Sequence, residues 1–377
     1  MEKNKAKTIL ITPGYPSDKN IYNLAFIHTR VKEYSFNVDV FVISNDEYDE
    51  NFDGVFVHYR KIENIVNQAR NYKFILIHFM GHRILKEFIN KEIKDKKIII
   101  WIHGTEALSA RRRLFNIKAE GYMSFGKYFL WSIKNRVLIN MYLRKLNKHN
   151  KFGFVFPSSW MKEISEKDLY MNFDNYEIIP NPINDKLFKP SKLDIEKRFK
   201  IISIRSYRSY KYGVDILQEI ILKFLEDERF INVKDKVEIT VLGDGDLFDK
   251  NTRLLKDNPF VELHKKFLTQ REMAQMFQKY GIFINTTRQD AQGVTMCEAM
   301  SSGLVTLNSN NTAIPEFIDG ENGILCNDVN AFVDSLYDVI ENVEKFERIS
   351  EVATEYIRNN LLVGKICSEE QKFIYEL

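Results

Sequence analysis

The sequence predicts an α/β protein with two doubly wound domains, and three observations carry that prediction. Short β-branched or aromatic runs alternate with longer stretches of helical spacing along most of the chain. Runs such as residues 98–102 are almost continuously apolar, as expected for parallel strands covered on both faces. The length of 377 residues suits about two ordinary domains. We therefore expect two Rossmann-like domains that face a central cleft.

The predicted strands form two cycles. In the first cycle they are Thr8–Thr12, Val38–Ile43, Val55–Tyr59, Phe74–His78, Lys97–His103 and Phe154–Pro157. In the second cycle they are Ile201–Ile204, Val237–Leu242, Val261–Leu263, Ile282–Asn285 and Leu304–Leu307. The tail over 329–377 is predicted to be helical.

A proline-rich segment over 179–184 separates the two cycles. Its two prolines exclude a continuing helix, so a hinge is predicted there. The predicted domains are residues 1–182 and residues 183–357, with a C-terminal helix over 358–377 that rejoins the first domain. Ligands of such folds bind outside the carboxyl ends of the strands, which predicts a ligand in the cleft.

The composition is that of a soluble globular protein, with 44% apolar and 28% charged residues. Cys297, Cys326 and Cys367 are odd in number and lack metal-ligand spacing, so buried, reduced thiols are expected. The apolar run Ile9–Ile11, after three lysines in residues 1–7, is too short for a signal peptide. No stretch approaches the roughly 20 apolar residues of a membrane span. A cytoplasmic protein is expected.

The segment 281–303 has the features of a phosphate site. A strand ends near Asn285, a loop follows, and a helix begins at about Val294. The backbone N–H groups of Gly293, Val294 and Thr295 are therefore expected to be free to bind phosphate oxygens, aided by the helix dipole.

Two carboxylates eight residues apart extend this site. Glu298, one turn into the helix, is placed to accept hydrogen bonds from a ribose diol, and Asp290 to accept them from hydroxyls of a transferred sugar. The alternative is that Asp290 only caps the helix and Glu298 is a solvated surface acid. The neighbouring motifs favour a clamp for a sugar nucleotide.

Residues 290–305 resemble the E-x7-E signature of retaining glycosyltransferase family 4, whose members have the type-B glycosyltransferase (GT-B) fold. The family pattern E-G-F-G-L-x-x-L-E-A-M-A-x-G stands here as D-A-Q-G-V-T-M-C-E-A-M-S-S-G. Asp290 replaces the first Glu and retracts its carboxylate by one methylene, while Ala291 and Gln292 replace Gly-Phe. The resemblance implies a divergent member.

Further matches occur in the expected order. His103-Gly-Thr-Glu106 resembles the family's His-Gly-x-Glu loop, which implies that His103 faces the donor sugar and the leaving phosphate. Residues 204–215 resemble G-R-L-x-x-x-K-G-V-D with about two extra residues, which implies that Arg205 and Lys211 hold the donor diphosphate. Arg208 lies in the expanded loop and is an alternative candidate for the role of either cation. Such cations stabilise a departing diphosphate without a metal.

Weaker matches complete the resemblance. Residues 178–184 resemble the hinge sequence I-P-N-G-V-D, and residues 312–316 stand where the family has G-G-x-P-E. Val241–Gly245 resembles a V-G-D-G turn near the base pocket, so Gly243 is predicted to contact the donor, as is Gly14 after the first strand. The D-x-D pattern at 244–246 is a weak metal signal, and no metal or other cofactor is predicted.

Residues 111–151 carry eleven basic side chains and one acid, Glu120, and give residues 1–180 a balance of 29 Lys and Arg against 20 Asp and Glu. Aromatic residues interleave with the cations over 122–148. This pattern predicts either a helix that docks on an anionic membrane surface or a plain surface helix. Nucleic acid is disfavoured, since no accompanying motif is present.

The sequence thus predicts a retaining, metal-independent glycosyltransferase of the hexosyltransferase type. Its expected donor is a nucleotide diphosphate sugar, with uridine diphosphate as the carrier. Its expected acceptor is a glycan or a lipid-linked saccharide, as in polysaccharide biosynthesis. A sugar-nucleotide 2-epimerase of the same fold and a non-catalytic binding subunit are the alternatives.

Overall fold

The computed structural model describes residues 8–18, 20, 23–192 and 194–377. The chain splits into two compact units. The first comprises Met1–Arg112, Met123–Pro182 and Val363–Leu377, and the second comprises Arg113–Tyr122 and Ile183–Leu362. The three lysines predicted to precede the first strand lie outside the described residues.

Two segments differ from the predicted domain boundaries. Residues 113–122, which were predicted in the first domain, group with the second unit, since Phe115 packs against the second unit's core and Asn116 hydrogen-bonds Ser209. Residues 358–362 also belong to the second unit, so the return to the first unit begins at Val363 rather than at residue 358.

The first unit is built on one sheet. Its strands are β1 (Thr8–Thr12), β2 (Val38–Ile43), β3 (Tyr48–Phe52), β4 (Val55–Arg60), β5 (Phe74–His78), β6 (Lys97–Trp101), β7 (Lys151–Phe156) and β8 (Tyr176–Ile178). The strand order is β3-β4-β2-β1-β5-β6-β7-β8, and only the β3–β4 pairing is antiparallel among these strands. The helices of the first unit before residue 182 are α1 (Ala25–Glu33), α2 (Ile62–Ala69), α3 (His82–Asn90), α5 (Tyr122–Leu146) and α6 (Ser159–Leu169), while α4 (Ile117–Glu120) belongs to the second unit.

The second unit follows the same plan. Its strands are β9 (Lys200–Ile204), β10 (Glu238–Gly243), β11 (Val261–Lys265), β12 (Ile282–Asn285), β13 (Val305–Ser309) and β14 (Ile324–Cys326). The strand order is β11-β10-β9-β12-β13-β14, and every pairing is parallel. The later helices are α7 (Val214–Glu226), α8 (Phe248–Thr252), α9 (Gln270–Phe277), α10 (Val294–Ser301), α11 (Val329–Glu341), α12 (Val343–Asn360) and α13 (Val363–Glu376).

Glu370 of α13 attaches the end of the chain to the first unit. Its carboxylate accepts hydrogen bonds from Arg30 Nε at 2.8 Å, Trp101 Nε1 at 2.9 Å and Tyr34 Oη at 2.8 Å. Arg30 and Glu370 are both fully buried. A buried ion pair whose partners are hydrogen-bonded becomes costly when either partner is removed, so it fixes where α13 docks.

Eleven predicted strands are confirmed, four of them with the predicted bounds and seven with ends that shift by one to three residues. The prediction missed β3, β8 and β14. β3 (YDENF) is a polar strand on the sheet edge, and β8 and β14 have three residues each, so none carries a strong apolar signal. The helical tail is confirmed as α11, α12 and α13.

Candidate functional site

The strand order of the second unit locates a ligand site. β9 and β12 are neighbours, and the chain leaves them toward opposite sides of the sheet, to β10 and to β13. A crevice opens at the carboxyl ends of two such strands, where doubly wound folds bind ligands. Arg205 follows β9 directly, and Thr286 follows β12 directly.

We call the place where the chain leaves β9 and β12 in opposite directions the switch point. Arg205 is a buried cation at this switch point. One of its terminal nitrogens donates to the carbonyl of Thr286, and its guanidinium carbon lies 5.6 Å from the ring centre of Tyr212. Burial lowers the pKa of Arg205, and the negative charge of Asp290 opposes that shift. Among the described residues no carboxylate forms an ion pair with it, so its charge is available to an anion.

Buried polar atoms without a hydrogen-bond partner gather around Arg205. Within the described part of the chain, six side-chain atoms are in this state, and four of them lie near the carboxyl ends of β9 and β12. These four are Arg205 Nε, Tyr207 Oη, Asn285 Oδ1 and Gln289 Nε2. Buried polar groups without partners are costly and uncommon, so a polar ligand is expected to satisfy them.

Lys211 lies on a loop whose backbone is hydrogen-bonded to the segment that follows β12. Its carbonyl accepts hydrogen bonds from Arg288 N at 2.8 Å and Thr287 Oγ1 at 3.2 Å. Gly213, at φ +59°, lets this loop approach closely, since a Cβ there would lie 3.0 Å from Thr286 Cβ. The ammonium group of Lys211 has no ion-pair partner in the described residues.

Arg288 was not predicted as a site residue. Its guanidinium makes a bidentate ion pair with Asp215 of α7, with distances of 2.6 and 2.7 Å, and also donates to the carbonyl of Tyr210 at 2.9 Å. Its position three residues after a predicted strand was the available signal. It ties the loop after β12 to the Lys211 loop.

The amino end of α10 is formed by Gly293. Its φ of +81° favours glycine, and a Cβ there would lie 2.8 Å from Ile314 Cδ1. The backbone N–H groups of Val294 and Thr295 have no acceptor among the described residues. The N–H of Gly293 was expected to be free, which is wrong, because it donates to Asp290 Oδ1 at 2.9 Å.

Asp290 does act as a turn residue. Its Oδ1 accepts from the N–H groups of Gln292 and Gly293, and its own N–H donates to Thr312 Oγ1 at 3.1 Å. Thr312 has a φ of +51° at a position where the resembled family has glycine. Its hydroxyl contact with Asp290 stabilises that conformation. A role of Asp290 Oδ2 toward a sugar stays a prediction.

Glu298 is buried, so the alternative of a solvated surface acid is wrong. Burial raises the pKa of Glu298 to about 8, and a hydrogen bond from Gln270 Nε2 at 3.4 Å only partly opposes this. A cation or a pair of hydroxyl donors at this carboxyl would favour its ionised form.

The remaining predicted donor residues differ in exposure. Gly243 is held by packing, since a Cβ there would lie 2.0 Å from the carbonyl oxygen of Arg205. Arg208 is exposed and pairs with Asp244 at 3.1 Å. Gly14, in the first unit, follows β1, and a Cβ there would lie 2.7 Å from the amide of Asn23. Their contact with a donor stays a prediction.

In the first unit, His103 lies just beyond β6 in an aromatic setting. Its Nε2 is 3.0 Å from His78 Nδ1, and Phe79 stacks on its ring at 4.4 Å. Burial, together with the positive charge of Arg30, lowers the pKa of His103 to about 3. The imidazole is therefore neutral at physiological pH, and its Nδ1 has no hydrogen-bond partner among the residues that the structure describes.

Glu106 shapes the loop that carries His103. Its carboxylate accepts hydrogen bonds from the backbone N–H groups of His103 and Gly104. Burial raises the pKa of Glu106 to about 7 despite those hydrogen bonds. The conformation of the loop thus depends on this acid.

The three cysteines are free and buried, as expected. Among the described residues, no group of three or more His, Cys, Asp or Glu side chains is placed to hold a metal ion. No helix in the described ranges is long and apolar enough to cross a membrane.

Comparison with known sequences bears on the second unit. Residues 198–342 match the family model described as Glycosyl transferases group 1. The chain is 23% identical over 215 residues to N-acetyl-alpha-D-glucosaminyl L-malate synthase of Bacillus anthracis, covering 51% of this chain and 56% of that protein. It is 24% identical over 217 residues to the UDP-Gal:alpha-D-GlcNAc-diphosphoundecaprenol alpha-1,3-galactosyltransferase of Escherichia coli, covering 54% of each. The alignments thus span about half of each relative.

Comparison with solved structures covers the whole fold. HepE of Anabaena in complex with UDP superposes with a TM-score of 0.73 at 14% identity, over 98% of this chain and all of that one. Sucrose-phosphate synthase of Thermosynechococcus elongatus gives a TM-score of 0.70 at 12% identity, over 98% of each chain. The chain has the GT-B fold, as expected. With the family match, these likenesses support a GT-B glycosyltransferase.

Proposed function

We propose that the protein is a retaining, metal-independent glycosyltransferase that uses a nucleotide diphosphate sugar, with uridine diphosphate as the carrier. The observation that carries the proposal is the cluster of unsatisfied groups at the β9–β12 switch point. Within the described residues it comprises two cations without ion-pair partners, Arg205 and Lys211, and two amides without acceptors at the start of α10. Together they match the charge and the acceptors of a diphosphate.

In this proposal Arg205 and Lys211 bind the diphosphate and stabilise the charge that develops as it departs. The amides of Val294 and Thr295 bind its oxygens, and Glu298 accepts hydrogen bonds from the ribose. Asp290 and the neutral His103 contact hydroxyls of the donor sugar. The acceptor hydroxyl attacks on the face from which the diphosphate leaves, which retains the anomeric configuration.

The acceptor is proposed to be a glycan or a lipid-linked saccharide presented at an anionic membrane surface. Support comes from α5, which exposes an apolar stripe at helical spacing made of Leu130, Ile133, Val137 and Met141. Lys127, Lys134 and Lys145 are exposed on the same helix. Helices of this kind lie in the membrane interface with cations toward anionic lipids.

The test is a screen of nucleotide sugars by thermal shift, followed by an assay of the best binder. A ligand at about 100 times its Kd adds roughly 2.7 kcal/mol to the free energy of unfolding. Transfer to a saccharide acceptor, with the anomeric configuration of the product read by NMR, supports the proposal.

Controls without acceptor separate the alternatives. Conversion of the nucleotide sugar alone to its epimer would instead indicate a 2-epimerase. Nucleotide binding without transfer or donor hydrolysis, across a range of acceptors, would indicate a binding subunit.

A further inference from the structure

A cavity of about 540 Å³ lies in the first unit, apart from the residues discussed above for the donor. It is bordered by three arginines, one acid and an apolar wall. The lining side chains that matter here are Arg111, Arg112, Arg136, Asp168, Ile133 and Val137. The volume falls in the range of pockets for small molecules.

The charges of the cavity do not cancel. Arg112 pairs with both oxygens of Asp168, at 2.7 and 2.9 Å, so that acid is already neutralised. Arg136 donates to the carbonyl of Asp168 at 2.6 Å and makes no ion pair with its carboxylate. Arg111 is exposed and has no ion-pair partner among the described residues. Two positive charges therefore remain for a ligand.

A buried polar atom of Arg136 is independent evidence that the cavity binds an anion. It is only 8% exposed, and its Nε has no hydrogen-bond partner in the described structure. An N–H of a buried guanidinium that lacks an acceptor is costly. A phosphate oxygen is the acceptor that arginine clusters typically bind.

The apolar wall indicates where the phosphate comes from. Ile133 and Val137 line the cavity and also belong to the exposed apolar stripe of α5. A ligand here therefore meets cations on one side and an apolar surface on the other. This is the chemistry of the boundary between the headgroups and the acyl chains of a bilayer.

We propose that this arginine pocket binds the phosphate of an anionic bilayer phospholipid, while the apolar stripe of α5 contacts the acyl chains. The pocket is a second anion site, distinct from the diphosphate site of the second unit. The inference rests on the membrane docking proposed above for α5 and not on the transferase chemistry, because every lining residue belongs to the first unit and the test measures lipid binding alone.

The experiment compares sedimentation of the full chain with vesicles of phosphatidylcholine alone and vesicles that also contain phosphatidylglycerol. Arg111→Glu is expected to weaken binding to the anionic vesicles by about tenfold or more. The matched control is Arg83→Glu, an equal charge change at an exposed residue of α3 outside the cavity, which is expected to cost less than about threefold.

Arg136→Lys tests the pocket itself, with thermal unfolding as the check on folding. It keeps the charge but removes the guanidinium, so a folded variant is expected to lose binding several-fold. Equal losses of vesicle binding for Arg111→Glu and Arg83→Glu, or full binding by folded Arg136→Lys, would show that the arginine pocket is not the lipid-binding site. Titration with inorganic phosphate distinguishes the sources, and saturable phosphate binding without a preference for anionic vesicles would overturn the lipid assignment.

Discussion

The side chains at the carboxyl ends of the strands are positively charged in the second unit and largely neutral in the first unit. In the second unit, Arg205 is buried without an acid partner, and Lys211 has none either within the described residues. In the first unit, burial keeps His103 neutral and leaves Glu106 partly protonated near neutral pH. One edge therefore suits an anion, and the other suits neutral hydroxyl groups, which a neutral imidazole binds without the cost of desolvating a charge.

The largest effect is expected when a cation is removed from the carboxyl edge of the second unit's sheet. Arg205→Ala and Lys211→Ala are each expected to lower kcat/KM for the nucleotide sugar by about 100-fold, because each removes a charge that stabilises the departing diphosphate. Steady-state kinetics of the purified variants measure this. Lys256→Ala, at an exposed lysine of the same unit, is the matched control. Near-normal turnover in the folded Arg205 and Lys211 variants would remove the donor-site assignment.

Glu298 allows a test of charge through stability. Its pKa is about 8 in the folded protein and near 4.5 when unfolded, so ionisation progressively destabilises the fold as pH rises through that interval. Glu298→Gln is expected to raise the free energy of unfolding by about 2 kcal/mol at neutral pH, with little gain near pH 4.5, while donor affinity falls. Denaturant unfolding across that interval measures the gain.

The control for that series is Glu355→Gln, which changes an exposed acid of the second unit. Its unfolding is measured over the same pH range, and the result is subtracted from that of Glu298→Gln. A gain for Glu298→Gln that is the same at low and neutral pH would show that burial of the carboxylate is not its cause.

Arg288 sharpens the role of the Lys211 loop. Because Arg288 binds that loop and Asp215 together, Arg288→Ala is expected to raise KM for the donor about tenfold with a smaller effect on kcat. Arg288→Lys should restore part of the affinity. A double-mutant cycle with Asp215→Ala measures the coupling. Additive effects would show that the ion pair does not position the loop.

His103 gives the smallest expected effect. The unfolded chain binds a proton at this residue below about pH 6.5, whereas the folded protein does so only near pH 3, so acid lowers stability through that window. His103→Gln is expected to reduce the loss between pH 6.5 and pH 5 by about 1 kcal/mol. Urea unfolding at both pH values measures it. An unchanged loss would mean that His103 is protonated in the folded protein.

Much of the architecture was predictable because the spacing of apolar residues along the chain indicates where buried strands and amphipathic helices lie. The strands with an apolar run of four or more residues were found. β3 was missed because its residues are mostly polar, and β8 and β14 were missed because they have three residues each. The segment 113–122 was misassigned for a related reason. Its membership of the second unit depends on contacts of Phe115 and Asn116 with residues far along the chain.

The sequence predicted which residues lie at the site better than it predicted the hydrogen bonds and ion pairs that those residues make. The motifs singled out Arg205, Lys211 and Glu298, whereas Arg288 carries no motif. Of the three amides that were predicted to be free, that of Gly293 is bonded, because its hydrogen bond to Asp290 depends on the fold of the turn. A cleft between the two domains, contacts with a donor, and the acceptor all stay predictions.

The sequence by itself determined the two α/β cycles, the glycine-led start of α10 and the order of the basic and acidic groups along the chain. These are local properties, set by side-chain spacing and backbone freedom. Only the tertiary structure decided which of those groups keep a free charge. Burial and partners far apart in sequence leave Arg205 without an ion-pair partner in the described part of the chain, hold His103 neutral and raise the pKa of Glu298. Desolvation depends on the whole fold around a group, so no local pattern encodes it.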